Sequence, residues 1–153
     1  MSATPDQVIE YYDECASFID DDAKAMGWSS TFSQQLRFDV FNYMTVMDAK
    51  HILDVGCGDG ALFHYFQDNS INCEYTGIDI SSKMVQRAQT RYPGICVRKK
   101  DFFQESGLFD IVVCSGGLSM IAEEEPLDYL KRAVTHLFSI AKEQLLFNLL
   151  TIH

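Results

Sequence analysis

Apolar residues before position 50 recur mostly at helical spacing, and after His51 they gather into short runs separated by helical stretches. Thr4-Pro5-Asp6-Gln7 reads as a helix start: Thr4 caps, Pro5 suits the first helical position, and Gln7 closes the capping box. Val8, Ile9, Tyr12, Cys15 and Ile19 follow at helical spacing, and the pattern fails between Asp20 and Gly27. A second helix begins near Ser29 or Ser30 and gathers Phe32, Leu36, Val40, Tyr43, Met44 and Met47 on one face.

From His51 the texture changes. Ile52 to Val55 is a buried-strand run ending at Gly56, Ala61 to Phe66 a short helix, and Tyr75 to Ile80 a strand. Ser81 caps a helix carrying Met84, Val85 and Ala88, and Pro93-Gly94 breaks the chain before a strand from Ile95 to Arg98. Phe109 to Cys114 is the next strand, followed by Gly116-Gly117. Leu127, Leu130, Val134, Leu137, Phe138 and Ala141 make an amphipathic helix, and Leu145 to Leu150 is the last strand. Strands spaced by helices imply parallel units with right-handed crossovers. The predicted fold is α/β, a doubly wound, mostly parallel sheet preceded by two N-terminal helices. Nothing resembling a linker or repeat divides the chain, so one domain is expected over 1–153, with a helical cap at 1–48 and an α/β core at 49–153.

Charge narrows the partners. Twelve Lys+Arg stand against 22 Asp+Glu, a net charge of −10, which leaves no basic stripe for a phosphate backbone and disfavours an anionic membrane surface. The longest strongly apolar stretch, Gln144 to Ile152, is interrupted by Asn148 and too short to span a bilayer. Met1 to Glu10 has no basic region before an apolar run. A soluble cytoplasmic protein without nucleic-acid or membrane partners is expected. The five cysteines are odd in number and lack C-x-x-C spacing, so buried free thiols are expected; the four histidines are scattered, and no metal site is expected. The acidic triplets Asp20-Asp21-Asp22 and Glu123-Glu124-Glu125 read as solvated faces or helix starts.

In doubly wound sheets ligands bind at the carboxyl ends of the strands, where strand order reverses. The first strand runs into Gly56-Cys57-Gly58-Asp59-Gly60, whose alternating glycines let the backbone turn sharply and approach a ligand. Asp79 ends the second strand 19 residues after Gly60, where a carboxylate can accept both hydroxyls of a ribose. Asp101 follows the third strand and can accept from an adenine amino group, with Phe102 against the ring.

With these features the chain resembles the class I S-adenosylmethionine-dependent methyltransferases, through HILDVGCGDGAL at His51–Leu62, YTGIDIS at Tyr75–Ser81, KKDFF at Lys99–Phe103 and FDIVVCSGG at Phe109–Gly117. The resemblance implies a Rossmann-like sheet of strand order 3-2-1-4-5, and S-adenosylmethionine as cofactor with S-adenosylhomocysteine as product. It places Asp54, Gly56, Cys57 and Gly58 at the methionine moiety, Asp79 and Ile80 at the ribose, and Asp101 and Phe102 at adenine. Met84 joins that set, and Cys114, Ser115 and Gly116 face the methyl-donor end. GWSSTFSQQLRF at Gly27–Phe38 resembles a bacterial sub-family of unassigned substrate, and implies that Trp28 and Arg37 close over the cofactor, Arg37 pairing with its carboxylate.

Methyl transfer mainly needs the nucleophile aligned with sulfur and carbon. No general base stands out, since His64 and His136 read as surface or packing residues, and catalytic residues are left unassigned. CSGG stands where adenine- and glutamine-directed members carry an Asp/Asn-Pro-Pro-aromatic motif, so a small-molecule acceptor is expected. The family usually adds two further strands after the fifth; this chain stops at His153, which leaves 145–150 as an exposed edge and a possible homodimer contact. Two alternatives stand beside this reading. One is a truncated, non-catalytic cofactor- or partner-binding module. The other is an NAD-dependent oxidoreductase, because Gly56-x-Gly58-x-x-Ala61 also satisfies the looser dinucleotide fingerprint.

Overall fold

β1 (His51–Val55) is the centre of a five-stranded parallel sheet. The computed structural model describes residues 4–15, 17, 31–118 and 126–149; Trp28, the two acidic triplets and Leu150 lie outside them. β2 (Glu74–Asp79) pairs along one side of β1, Asp54 opposite Gly77, and β4 (Phe109–Ser115) along the other, Leu53 opposite Val112. β3 (Val97–Lys99) and β5 (Ala141–Asn148) complete the order β3-β2-β1-β4-β5. This is the expected doubly wound sheet, and its switch point lies between β1 and β4.

The inner strands are apolar on both faces because helices cover both. Ile52, Tyr75, Val97 and Ile111 pack with Leu62 and Phe66 of α3 (Ala61–Asp68) and with Val85 and Ala88 of α4 (Ser82–Arg91). On the opposite face Leu53, Val55, Ile78 and Val112 meet Tyr129, Ala133 and Leu137 of α5 (Pro126–Ser139). Two further helices, α1 (Pro5–Cys15) and α2 (Thr31–Met44), precede the sheet. Among the described residues no helix is long and apolar enough to cross a membrane.

Three expectations are corrected. α2 turns Gln34, Phe38 and Phe41 inward, the Phe38 ring lying tilted against Tyr65 of α3 at 5.5 Å between centroids, while Phe32, Leu36, Val40, Tyr43 and Met44 face solvent. Only Met47, beyond the helix end, is buried from the face that the spacing picked out. A helix apolar around most of its circumference does not reveal its buried side by periodicity. β3 is shorter and later than the Ile95–Arg98 run. β5 begins at Ala141 rather than Leu145, so Ala141 belongs to a strand and not to the preceding helix. The edge therefore carries Lys142 and Glu143, paired with Asp110 and Lys50 at 3.0 and 2.6 Å, and only its later half lacks charge.

Candidate cofactor crevice

Three glycines carry the chain out of β1. Gly56, Gly58 and Gly60 all have positive φ, a region that side chains with a Cβ rarely occupy. The turn is tied to the end of β2: the Gly56 and Cys57 amides donate to the Ile78 carbonyl at 2.9 and 3.1 Å. Gly58 N donates to Asp79 Oδ2 at 2.9 Å, and Ser81 N to Asp79 Oδ1 at 2.8 Å. Both carboxylate oxygens of Asp79 are thus held by backbone donors. Across the switch point Gly117 follows β4, and a Cβ on Gly56 would lie 3.5 Å from its Cα. The strand ends approach closely here because neither position carries a side chain.

The acids of this crevice sit in unequal surroundings. Asp54 is 3% exposed and accepts from the Tyr75 hydroxyl at 2.7 Å. Burial pushes its carboxyl up to about 7, the Tyr75 hydrogen bond working against that rise and the Asp79 charge adding to it. Burial raises Asp79 as well, while the amides of Ser81, Gly58 and Ile80 oppose the shift. The Cys57 and Cys114 thiols are buried and pushed well above their ordinary range, Cys114 to about 12, so neither is a nucleophile at neutral pH.

Lys100 N donates to the Asp79 carbonyl at 2.9 Å, which sets Asp101 one strand over from Asp79. Asp101 itself caps a short 3-10 turn, its Oδ1 accepting from Phe103 N at 2.9 Å, and Phe102 is half-buried beside Phe103. His136 Nε2 lies 2.8 Å from the Phe102 carbonyl, consistent with a packing role. Ser115 Oγ accepts from Asn148 at 3.1 Å, and Gly116 turns away with positive φ.

The structure therefore gathers Asp54, Gly56, Cys57, Gly58, Asp79, Ile80, Asp101, Phe102, Cys114, Ser115 and Gly116 at the carboxyl rim of the sheet. Met84 is fully buried in α4, its amide capped by Ser81 Oγ at 3.1 Å. Arg37 is half-buried on α2, where desolvation lowers its guanidinium, and that helix meets the sheet's flank through α3. Two groups at this rim have no counterpart among the expected residues. Ser81 Oγ donates to Asp13 Oδ1 of α1, and Lys83 Nζ donates to the Asp13 carbonyl at 3.3 Å. Tyr12 beside it is pushed up to about 12 by burial first and then by the Asp79 charge, so α1 lies over the end of β2. The apolar spacing of Tyr12 marked a buried helix face; nothing in the sequence paired Asp13 with Ser81. A hollow of about 430 Å³ opens at the other rim, among Ala49, His51, Cys73, Glu74 and Asp110, away from these groups.

Residues 52–139 match the family model for a methyltransferase domain. The chain belongs to this methyltransferase-domain family. A 103-residue stretch of this methyltransferase-domain chain is 36% identical to Rv1506c of Mycobacterium tuberculosis (strain ATCC 25618 / H37Rv), provisionally named a methyltransferase; the match covers 60% of this chain and 62% of that protein. The same fold occurs in the magnesium protoporphyrin IX methyltransferase of Synechocystis PCC 6803, solved with bound SAH, at a TM-score of 0.65 and 20% identity over 92% of this chain and 65% of that one. It occurs also in the N-methyltransferase NodS of Bradyrhizobium japonicum WM9, in complex with S-adenosyl-L-homocysteine, at a TM-score of 0.67 and 20% identity over 95% and 72%.

Proposed function

We propose that the chain binds S-adenosylmethionine in the crevice between the ends of β1, β2 and β4 and transfers its methyl group to a small-molecule acceptor by in-line displacement, leaving S-adenosylhomocysteine. The observation that carries this reading is the hydrogen bond from Gly58 N to Asp79, which joins the glycine turn to the ribose-type acid in a methyltransferase-family chain. The residues fit such a ligand. Gly56 and Gly117 leave the floor of the crevice free of side chains. Each oxygen of Asp79 has acceptor capacity beyond the amide it already takes. Asp79, whose two oxygens are held by backbone amides, offers a negative charge that suits a nearby sulfonium.

The bound donor would supply a methyl group already activated on positively charged sulfur. Asp79 and Ile80 hold the ribose, with Met84 behind them, and Asp101 and Phe102 take the adenine. Asp54, Gly56, Cys57 and Gly58 hold the methionine part, and Cys114, Ser115 and Gly116 line the methyl end. Arg37 closes from the amino-terminal side toward the carboxylate, and Trp28, which lies outside the described residues, belongs to the same reading. The chain's work is then alignment and exclusion of water. The net charge of −10 favours a small acceptor over a nucleic acid and accords with a cytoplasmic protein. A homodimer through the uncharged end of β5, where Phe147 and Leu149 are exposed, belongs to the same reading.

Calorimetric titration with S-adenosylmethionine, S-adenosylhomocysteine and NAD is the test. Both sulfur ligands bind and NAD does not if the reading holds. Binding of NAD alone would turn it to a nicotinamide-dependent oxidoreductase, and donor binding without turnover on any small acceptor to a non-catalytic module.

A further inference from the structure

Asp59 stands inside the glycine turn, yet its side chain points away from the turn into α4 and is 1% exposed. Arg91 Nη1 donates to Asp59 Oδ2 at 2.8 Å, and Arg87 Nε lies 3.8 Å from the same oxygen. The two arginines are one helical turn apart, so α4 presents both guanidiniums to one carboxylate. A buried carboxylate requires such partners, and losing one leaves charge stranded in a poorly solvated place.

The other end of α4 is also fixed to the site. Its N-cap Ser81 donates its amide to Asp79, and Asp79 accepts from Gly58, the residue next to Asp59. The bonds close a ring: Gly58 to Asp79, Asp79 to Ser81, along α4 to Arg91, and from Arg91 through Asp59 back to Gly58. A ten-residue helix is a stiff rod of about 15 Å. The glycine turn is the soft member of the ring, because three of its five residues are glycines with wide conformational freedom.

We propose that Asp59, clamped by Arg91 and Arg87, is a positioning residue that braces the glycine turn against α4 and thereby sets affinity for the methionine half of the cofactor. The proposal rests on the cofactor reading of the crevice. It differs from a simple stability role in one respect: the adenosine half, held by Asp79 and Asp101, depends on the brace much less than the half that lies along Gly56–Gly58.

The test compares Arg91→Ala, Arg91→Lys and Asp59→Asn with the parent chain in two measurements. In calorimetry, Arg91→Ala and Asp59→Asn weaken S-adenosylhomocysteine at least tenfold and adenosine less than threefold, and Arg91→Lys recovers most of the loss. In hydrogen exchange of the unliganded protein, Arg91→Ala speeds exchange of the Gly58 and Gly60 amides while the amides of β1 stay protected. Unchanged affinity for S-adenosylhomocysteine, or equal loss of both ligands with general loss of protection, overturns the proposal. If the parent chain binds neither ligand, the cofactor reading fails and the affinity claim with it. The exchange measurement then decides the brace separately: faster Gly58 and Gly60 exchange upholds it, and unchanged exchange rejects it.

Discussion

The hydroxyl of Tyr75 donates to Oδ2 of Asp54 at 2.7 Å between neighbouring strands, in a place where neither residue is reached by bulk water. The pair puts an acid with a carboxyl near 7 inside the sheet. Between its ordinary value of 3.8 and about 7 the folded chain holds this proton and the unfolded chain does not. The associated stability is complete below the ordinary value and is lost as pH rises through about 7. The melting temperature of Asp54→Asn, measured from pH 5 to 8 against the parent chain, is therefore expected to gain on the parent as pH rises. A constant difference across that range would refute the assignment.

Asp79→Ala removes the acceptor for two backbone amides and for the proposed ribose hydroxyls. Adenosine binding is expected to weaken by about 1–3 kcal/mol. Asp79→Asn, which keeps one oxygen acceptor, should fall between. Calorimetry on both variants distinguishes this from an acid that only closes a turn, for which adenosine affinity would not move.

Glu105 offers an acid-limb prediction of opposite sign. Burial works to raise its carboxyl, but the Gly107 amide, Arg98 and Lys100 outweigh that and hold it down to about 2. Its contribution is present above the ordinary 4.5 and fades as pH falls toward 2. Glu105→Gln should cost about 1–3 kcal/mol at pH 7 and progressively less in acid. Urea unfolding at pH 7 and pH 3 checks both halves.

The Asp13–Ser81 contact predicts a measurable coupling between α1 and the rim of the site. Ser81→Ala alone also loses the cap of α4, worth about 0.5–2 kcal/mol, so the single variant is ambiguous. A double-mutant cycle with Asp13→Ala isolates the contact, with an expected coupling of about 0.5–1.5 kcal/mol. Additive effects would mean that α1 is held there by other contacts.

The uncharged end of β5 predicts concentration-dependent association that Phe147→Lys suppresses and Tyr43→Lys, at a side chain 93% exposed on α2, does not. Light scattering after size exclusion reads this directly. Equal suppression by both substitutions would point to general stickiness instead of strand pairing.

The glycine turn and Asp79 were legible because each lies beside a strong strand run, and a doubly wound sheet aligns the ends of such runs. Asp59 was not. A lone acid between two glycines looks like a loop residue, and its partners lie 32 and 28 positions away on a helix whose orientation only packing decides. α2 failed for a different reason, having apolar side chains on two sides. The first half of β5 was hidden because an edge strand can afford Lys142, Glu143 and Gln144, which read as a loop when strands are sought by apolarity.

The order in which the strands leave the ribosome has a consequence for the close approach of Gly56 and Gly117. Chains fold broadly from the amino terminus as they are made. β1 and β2 can pair early and fold the glycine turn over Asp79, while the wall opposite Gly56 arrives only with β4 and Gly117, and β4 begins at Phe109, long after His51 opens β1. During that interval the half-built crevice presents an uncovered edge of β1, whose Ile52, Leu53 and Val55 are buried in the finished sheet, to every nearby chain. Slowing translation within the β3–β4 stretch should therefore prolong the most aggregation-prone stage of this protein's synthesis, whereas slowing it ahead of β1 should not.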